Sequence, residues 1–421
     1  MLGFYRAATI ATGPLAGIVL RRRASQGKED PSRLGERFGR SSALRPPGAL
    51  VWIHAASVGE SLSVLPLVDR VLDALPRGNV LLTTGTLSSS QLLPGRLPER
   101  AFHQFVPIDR PDAVRGFLDY WKPDIAIWVE SELWPNLLRA TQLRHVPTIL
   151  VQGRMSERSH RCWRWARGLI APLLKEFSEI LVQTEEDAIR FNDLGAVEPT
   201  VTGTLKYAAP PLTAVEATLE EMEAVLSLRT RWLAASIHPG EFKVVCQTHL
   251  ALRSQFPDLL TIVVPRHPSS ASELERVSIA SGVKCALRSR GTKPSSETAM
   301  YIADTMGELG LFYRVSPVSL IGGSFIDHGG QNLIEAIQLD CAALTGPSMF
   351  NFSEVMEDLG QVGVACRVET AGELLEAVSG LLAAPERAAH LSKQQKKIIT
   401  AKAAVIDTVF ESLVHHLPAV G

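Results

Sequence analysis

Cysteine is scarce and scattered: Cys162, Cys246, Cys285, Cys341 and Cys366 are the five in 421 residues, far apart and without a CxxC pair. That excludes a disulfide-stapled scaffold and a zinc knuckle, and it fits a reducing compartment. Net charge is missing too, since 43 Lys+Arg face 44 Asp+Glu for a formal −1. Without a basic surplus the chain cannot displace counterions from nucleic-acid phosphates, so no nucleic-acid partner is expected. The longest uncharged stretch near the N-terminus, Ala7 to Leu20, is broken by Gly13 and Pro14 and falls short of the ~20 residues of a spanning helix. What is present is a globular composition, 46% hydrophobic and 21% charged. At roughly 100–200 residues per domain it predicts two or three α/β-sized cores.

Charge is uneven along the chain. Eight basic residues (Arg6, Arg21, Arg22, Arg23, Lys28, Arg33, Arg37, Arg40) against Glu29, Asp30 and Glu36 leave +5 over residues 1–40 and −6 over the rest. A secretory signal would put its charges before the apolar run; here the Arg21–Arg23 cluster follows it. The pattern predicts a membrane-associated segment, with apolar turns in the acyl region, arginines on anionic headgroups and the body of the protein on the cytoplasmic side. An ordinary N-terminal helix is the alternative.

From Ala49 onward short apolar runs alternate with amphipathic stretches: Leu50–Ala56, Val80–Thr84, Phe102–Ile108, Ile125–Glu130, Thr148–Gln152, Ile180–Gln183 and Thr200–Gly203, then Trp232–Ser236, Leu260–Pro265, Met300–Ala303, Val318–Ile321 and Ala342–Leu344. Continuous apolar strands separated by helical patterns belong to parallel sheets covered on both faces. The expected fold is α/β, two doubly wound Rossmann-like domains facing across a cleft, the GT-B architecture, with a short N-terminal membrane-associated helix. The expected organisation is that N-terminal segment over 1–40, a first domain over 41–207, a hinge over 208–224, a second domain over 225–385, and a helical segment over 386–421 that packs back on the first domain. His415-His416 near its end read as a solvated pair rather than a metal site.

Chemistry should sit where strands end. Trp52 to Glu60 (WIHAASVGE) ends the first strand and opens a helix, which puts Glu60 near a helix N-terminus, where a carboxylate tends to stay ionised and can accept a proton from a hydroxyl. The competing reading is a first-turn Glu that supports the helix, with Ser57 as cap. Only Gly59 is present where a dinucleotide fingerprint needs three glycines. Ile127 to Asn136 (IWVESELWPN) places Glu130 and Glu132 two apart, on one side of an extended chain. Such a pair can bind a metal, share a proton or hold sugar hydroxyls. Two carboxylates alone make a poor metal site and the sequence has no DxD, so an orienting electrostatic role is expected and no metal. Lys206, in Val201 to Tyr207 (VTGTLKY), offers a cation for a leaving phosphate or an acidic sugar, with a surface lysine as the alternative.

The second half supplies three strand-end turns. Val263 to Ser270 (VVPRHPSS) brings Arg266 and His267 to a helix start, a phosphate-type pairing of guanidinium and backbone amides. Asp304 to Gly310 (DTMGELG) contains Gly307, where a ligand can approach the backbone. Ile321 to Ala336 (IGGSFIDHGGQNLIEA) sets Asn332 and Glu335 on one helical turn, a carboxylate suited to the hydroxyl pair of a ribose. Three such turns in succession point to a nucleotide pocket.

Taken together, these motifs resemble the 3-deoxy-D-manno-octulosonic acid (Kdo) transferases of lipid A assembly. The resemblance runs over almost the whole chain: RLGERFG (Arg33 to Gly39), SVGE, ESELWPN, RMSERS (Arg154 to Ser159), TEEDAIRF (Thr184 to Phe191), VTGTLK, PRHP, DTMGELG, GGSF and GPSMFNFSEV (Gly346 to Val355). It implies an inverting, metal-independent GT-B transferase that uses no cofactor and moves Kdo from CMP-Kdo to a lipid A precursor of the lipid IVA type, at the cytoplasmic face of the inner membrane and its anionic lipids. By position Glu60 matches the family's general base, and Glu130 and Lys206 its transition-state stabilisers. Arg266 and His267, the turn Met306, Gly307 and Glu308, and the run Asn332, Leu333, Ile334 and Glu335 match its CMP-binding segments, with Gln331 where His is usual and Leu333 where Pro is usual. Gln152-Gly153 stand for Asn-Ala before Arg154, and Ala208 for an acidic residue. The rival readings are a GT-B transferase with a UDP-sugar donor, a membrane-docked nucleotide-sugar binding protein without activity, and a sugar-nucleotide epimerase, which would need no lipid-directed N-terminus.

Overall fold

The first sheet is built of seven parallel strands, β1 (Leu50–His54), β2 (Asn79–Thr84), β3 (Ala101–Phe105), β4 (Ile125–Val129), β5 (Thr148–Gly153), β6 (Glu179–Val182) and β7 (Thr200–Val201), in the order β3-β2-β1-β4-β5-β6-β7. A computed structural model describes residues 1–227 and 229–418 of the chain. Successive residues of β1 and β4 serve opposite faces, as the pleat requires. Trp52 and Trp128 join Phe117 and Trp121 on one side, while Val51, Ile53 and Ile127 meet Val68 and Val71 on the other. The Trp52 and Trp128 rings pack edge-on at 4.7 Å.

Six parallel strands make the second sheet, β8 (Arg231–Ile237), β9 (Leu260–Pro265), β10 (Cys285–Leu287), β11 (Met300–Ile302), β12 (Val318–Ile321) and β13 (Ala342–Thr345), in the order β10-β11-β9-β8-β12-β13. The edge strand β10 is three residues long and partly exposed, too short to carry a periodic signal. The chain thus holds two doubly wound Rossmann-like units, the fold class expected. One runs from Met1 to Ala209 and takes back the chain from Ala403 onward; the other spans Pro210–Lys402.

Several boundaries differ from expectation. The segment read as a hinge over 208–224 becomes helical at Glu216–Leu226, because Met222 and Leu226, four apart, both find buried positions. The pattern read as one helical segment over 386–421 is two helices. Pro385–Lys402 stays with the second unit, and Val405–Val414 returns to the first. Val405, Ile406, Val409 and Leu413 enter the first unit's core, each burial worth about 1.5–3 kcal/mol. His416 bonds Glu179 at 3.0 Å, so it is a surface clasp.

The N-terminal segment forms two helices, Leu2–Ala11 and Gly13–Ser25. Among the described residues no helix is long and apolar enough to cross a membrane. The run that follows is part of the first unit rather than of a membrane segment. Arg37 is buried against Glu29 at 2.9 Å and donates to the Gly85 carbonyl, while Glu36, fully buried, holds Arg33 and the Phe105 amide. Four of the charges counted over residues 1–40 are therefore spent on internal pairs.

Candidate functional site

In an open parallel sheet the loops diverge where strand order reverses, which opens a crevice at the carboxyl ends of two neighbouring strands. In the first unit those strands are β1 and β4. The loop after β1 carries Glu60 and the residue after β4 is Glu130. Ser57 caps the helix Val58–Ser63 through its side chain, and Glu60 in the first turn reaches back, accepting from the Ala56 amide at 2.8 Å and the Ser57 hydroxyl at 2.7 Å. The helix-supporting role weighed from the sequence is thus present. It uses two of about four acceptor positions of the carboxylate, leaving lone pairs for a substrate proton. Burial raises the Glu60 pKa from 4.5 to about 7, helped by the Glu130 and Glu132 charges and opposed by those two hydrogen bonds. The ionised state expected from a helix N-terminus is therefore offset by desolvation, and Glu60 titrates near neutrality.

Glu130 is held differently from the extended pair the sequence suggested. Its backbone is left-handed, φ 58°, with its amide bonded to the Val151 carbonyl at 3.0 Å. The chain turns there, and Glu132 accepts from the Trp134 indole at 2.7 Å. Burial pushes the Glu130 carboxyl up while the Lys206 and Arg154 charges pull it down. Glu60, Glu130 and Lys206 are thus one electrostatic group. Lys206 sits in the turn Leu205–Ala208 capped by Thr204. That turn is tied down by Gln152, whose Oε1 accepts from the Leu205 amide at 2.7 Å and the Thr204 hydroxyl at 3.1 Å while its Nε2 donates to the Gly203 carbonyl at 2.9 Å. In the sequence Gln152 stands out only as a departure from the family pattern; its buried amide ties down the turn that carries Lys206. Asp187, also overlooked, is buried and accepts from the Met155 amide at 2.7 Å, joining the RMSERS turn to the TEEDAIRF helix.

In the second unit the order reverses between β8 and β12. The two loops approach so closely that a Cβ on Gly322 would lie 2.2 Å from the Ser236 carbonyl oxygen. Glu241, fully buried, clasps them: its two oxygens accept from the amides of His238 (2.9 Å), Gly323 (2.8 Å), Ser324 (3.1 Å) and Phe325 (3.0 Å). Nothing in its spacing distinguishes it from a surface Glu in the sequence. Beside the clasp, the His238 and His328 rings lie 4.4 Å apart and Gln331 Nε2 is 3.1 Å from His238 Nε2. Burial lowers the His238 pKa, with His328, Arg266 and His267 adding repulsion. Arg266 and His267, exposed at the end of β9, therefore lie within electrostatic reach of that histidine pair.

The remaining predicted residues divide by role. Met306 is 75% exposed and Gly307 has φ 83° with open space where a Cβ would stand. The Glu308 carboxylate is bound by Arg288 and Thr305, which lowers its pKa, so this side chain braces the turn. Asn332 donates to Glu335 at 3.1 Å and accepts from the Ile334 amide. Leu333 and Ile334 are buried where the helix Ile334–Gln338 begins. Among the described residues no three His, Cys, Asp or Glu side chains gather as metal ligands.

The family profile of the 3-deoxy-D-manno-octulosonic-acid transferases (kdotransferase) matches residues 32–209. A probable mitochondrial 3-deoxy-D-manno-octulosonic acid transferase of Arabidopsis thaliana is 37% identical over 395 residues, 91% of this chain and 88% of the relative. The chain belongs to the Kdo transferase family. A further member, from Rickettsia bellii, is 32% identical over 408 residues, 96% of this chain and 97% of its own. Kdo transferases are glycosyltransferases. In fold, the chain is similar to a UDP-GlcNAc 2-epimerase from Neisseria meningitidis, with a TM-score of 0.58 at 13% identity, over 87% of this chain and 100% of that one.

Proposed function

We propose that this Kdo transferase moves the sugar from CMP-Kdo to a lipid A precursor of the lipid IVA type, in one inverting displacement without a metal ion. The observation that carries the reading is the group at the first unit's switch point: Glu60, titrating near 7, beside Glu130 and within the field of Lys206. A base poised near neutral pH suits removal of a hydroxyl proton. Glu60 takes that proton as the acceptor oxygen bonds to the anomeric carbon of Kdo. The bond from that carbon to the phosphate oxygen breaks on the opposite face, and CMP leaves with the electron pair. Lys206 offsets charge on the acidic sugar, with Glu130 keeping the ammonium oriented. Arg266, with His267 and the His238–His328 pair beside it, offers a guanidinium fork and imidazole N–H groups to the CMP phosphate, a monophosphate whose charge the guanidinium can meet. Glu335 and Asn332 suit the ribose hydroxyls. The acceptor is a lipid, and the reaction belongs at the cytoplasmic face of the inner membrane, with the N-terminal helices against its anionic lipids; their exposed Phe4, Ile10, Leu15 and Ile18 support this.

The test is incubation of the purified protein with CMP-Kdo and a lipid A precursor, with the product mass read by mass spectrometry. A gain of one or more Kdo residues is expected, inhibited by CMP and not by UDP. Transfer from UDP-sugars, or no product, overturns the reading.

A further inference from the structure

Away from the two switch points, a concavity lies under the first helix. A pocket of about 200 Å3 is lined by Leu2, Val114, Asn136, Ala140 and Leu143 and by four arginines, Arg6, Arg115, Arg139 and Arg144. No carboxylate lines it. Among the described residues the one acid paired with these arginines is Asp119, which Arg144 meets at 2.6 Å while also donating to the Ala140 carbonyl. The side chains of Arg6, Arg115 and Arg139 have no hydrogen-bond or ion-pair partner among the described residues. Like charges converging on one concavity repel, and an anion relieves that repulsion.

The arrangement is held rather than incidental. Tyr5 donates to Asp109 Oδ2 at 2.9 Å, and Asp109 accepts from the amides of Asn136 and Leu137 at the start of the helix Pro135–Gln142. Asn136 in turn donates to Thr9 at 3.0 Å. These bonds pin Leu2–Ala11 so that Arg6 faces arginines from two other helical regions. The volume equals about seven waters at ~30 Å3 each, enough for a phosphate and the first carbons of its ester, for which Leu2, Val114, Ala140 and Leu143 supply apolar walls. Outside the pocket, the same helix and the next expose Met1, Phe4, Ile10, Leu15, Ile18 and Val19, between 54% and 81% accessible, followed by Arg21 and Arg22. Exposed apolar side chains beside a cationic pocket match an acyl layer beside its headgroups.

We propose that this arginine pocket binds the phosphomonoester headgroup of a membrane lipid other than the substrate, and so fixes the protein's depth and orientation on the bilayer. A monoester carries close to two charges and three terminal oxygens, enough for several guanidinium forks, whereas a diester offers one charge. The inference rests on the membrane placement proposed above and not on the transfer chemistry, because vesicle binding is measured without donor or acceptor.

The test is co-sedimentation of the full-length protein with phosphatidylcholine vesicles containing phosphatidic acid, or phosphatidylserine at matched surface charge. The wild type should partition about tenfold better onto phosphatidic acid, the effect of one good charge-assisted contact. The double variant Arg115→Lys/Arg139→Lys keeps charge and aliphatic stems but loses the forks. It should melt as the wild type does, retain phosphatidylserine binding and lose the preference. Equal capture by both lipids, or a preference surviving in the lysine variant, reduces the pocket to general electrostatics and overturns the proposal. Release of the wild type from vesicles by millimolar inorganic phosphate would assign the site to free phosphate. A raised KM for detergent-dispersed acceptor in the lysine variant, with vesicle binding unchanged, would assign it to the substrate. Either outcome contradicts the claim.

Discussion

Replacing Glu241 by glutamine tests whether a single buried carboxylate holds the second unit's site together. Its oxygens accept four backbone amides, from His238, Gly323, Ser324 and Phe325, at 2.8 to 3.1 Å. Hydrogen bonds to a charged group are worth roughly 1.5–3 kcal/mol each. The four share one desolvation cost and are not additive, so losing the charge should cost about 3–5 kcal/mol, the range for breaking a buried charged contact. Glutamine has the same shape but replaces one oxygen by an NH2 group. Whichever way the amide turns, that group faces two backbone donors. Because the loops it joins follow β8 and β12, His238 and Gln331 should also lose their mutual placement. Glu241→Gln should therefore shift the urea unfolding midpoint of the second unit and weaken CMP binding by titration calorimetry at least tenfold, ~1.4 kcal/mol. A variant that unfolds within about 0.5 kcal/mol of wild type and binds CMP equally well would refute the clasp.

Other outcomes follow from the first unit. With the Glu60 pKa near 7, the required ionised form is lost as pH falls, so the acceptor kcat/KM should drop about tenfold per pH unit below neutrality and level off above it. Glu130→Gln removes a charge that raises that pKa, and should move the acid limb of the profile to lower pH while lowering the plateau; an unmoved limb contradicts the pairing. Gln152→Ala deletes the three bonds that fix the turn before Lys206. A kcat fall of about tenfold with unchanged CMP affinity is expected, from ~1–2 kcal/mol of lost positioning, and an unchanged kcat would exclude the positioning role.

The order of strands and helices was legible because both sheets are parallel and buried on both faces, so their strands stand out as continuous apolar runs. Where that signal fails, the reasons are local. The strand Cys285–Leu287 is short and sits at an edge. The helix Glu157–Trp165 buries none of its residues, so no buried apolar face announces it. The extended Glu130–Glu132 pair failed because the left-handed backbone at Glu130 is imposed by the turn after β4, for which glutamate gives no cue. Glu60, Lys206 and Arg266 could be singled out because charged residues just beyond apolar strands are conspicuous. Glu241 and Gln152 could not, because their importance lies in backbone groups distant in sequence. Glu308, Leu333 and Ile334 were marked as part of contiguous motifs, and the structure gives their side chains bracing and core positions.

The division of labour between a proton acceptor in the first unit and a CMP site in the second is tested most directly by Glu60→Gln, measured in single-turnover Kdo transfer and in CMP titration on the same sample. The account predicts a 10²–10⁴-fold loss of rate, the usual worth of a positioned base, with CMP affinity unchanged. A variant that still transfers at the wild-type rate, or that loses CMP binding along with activity, contradicts it.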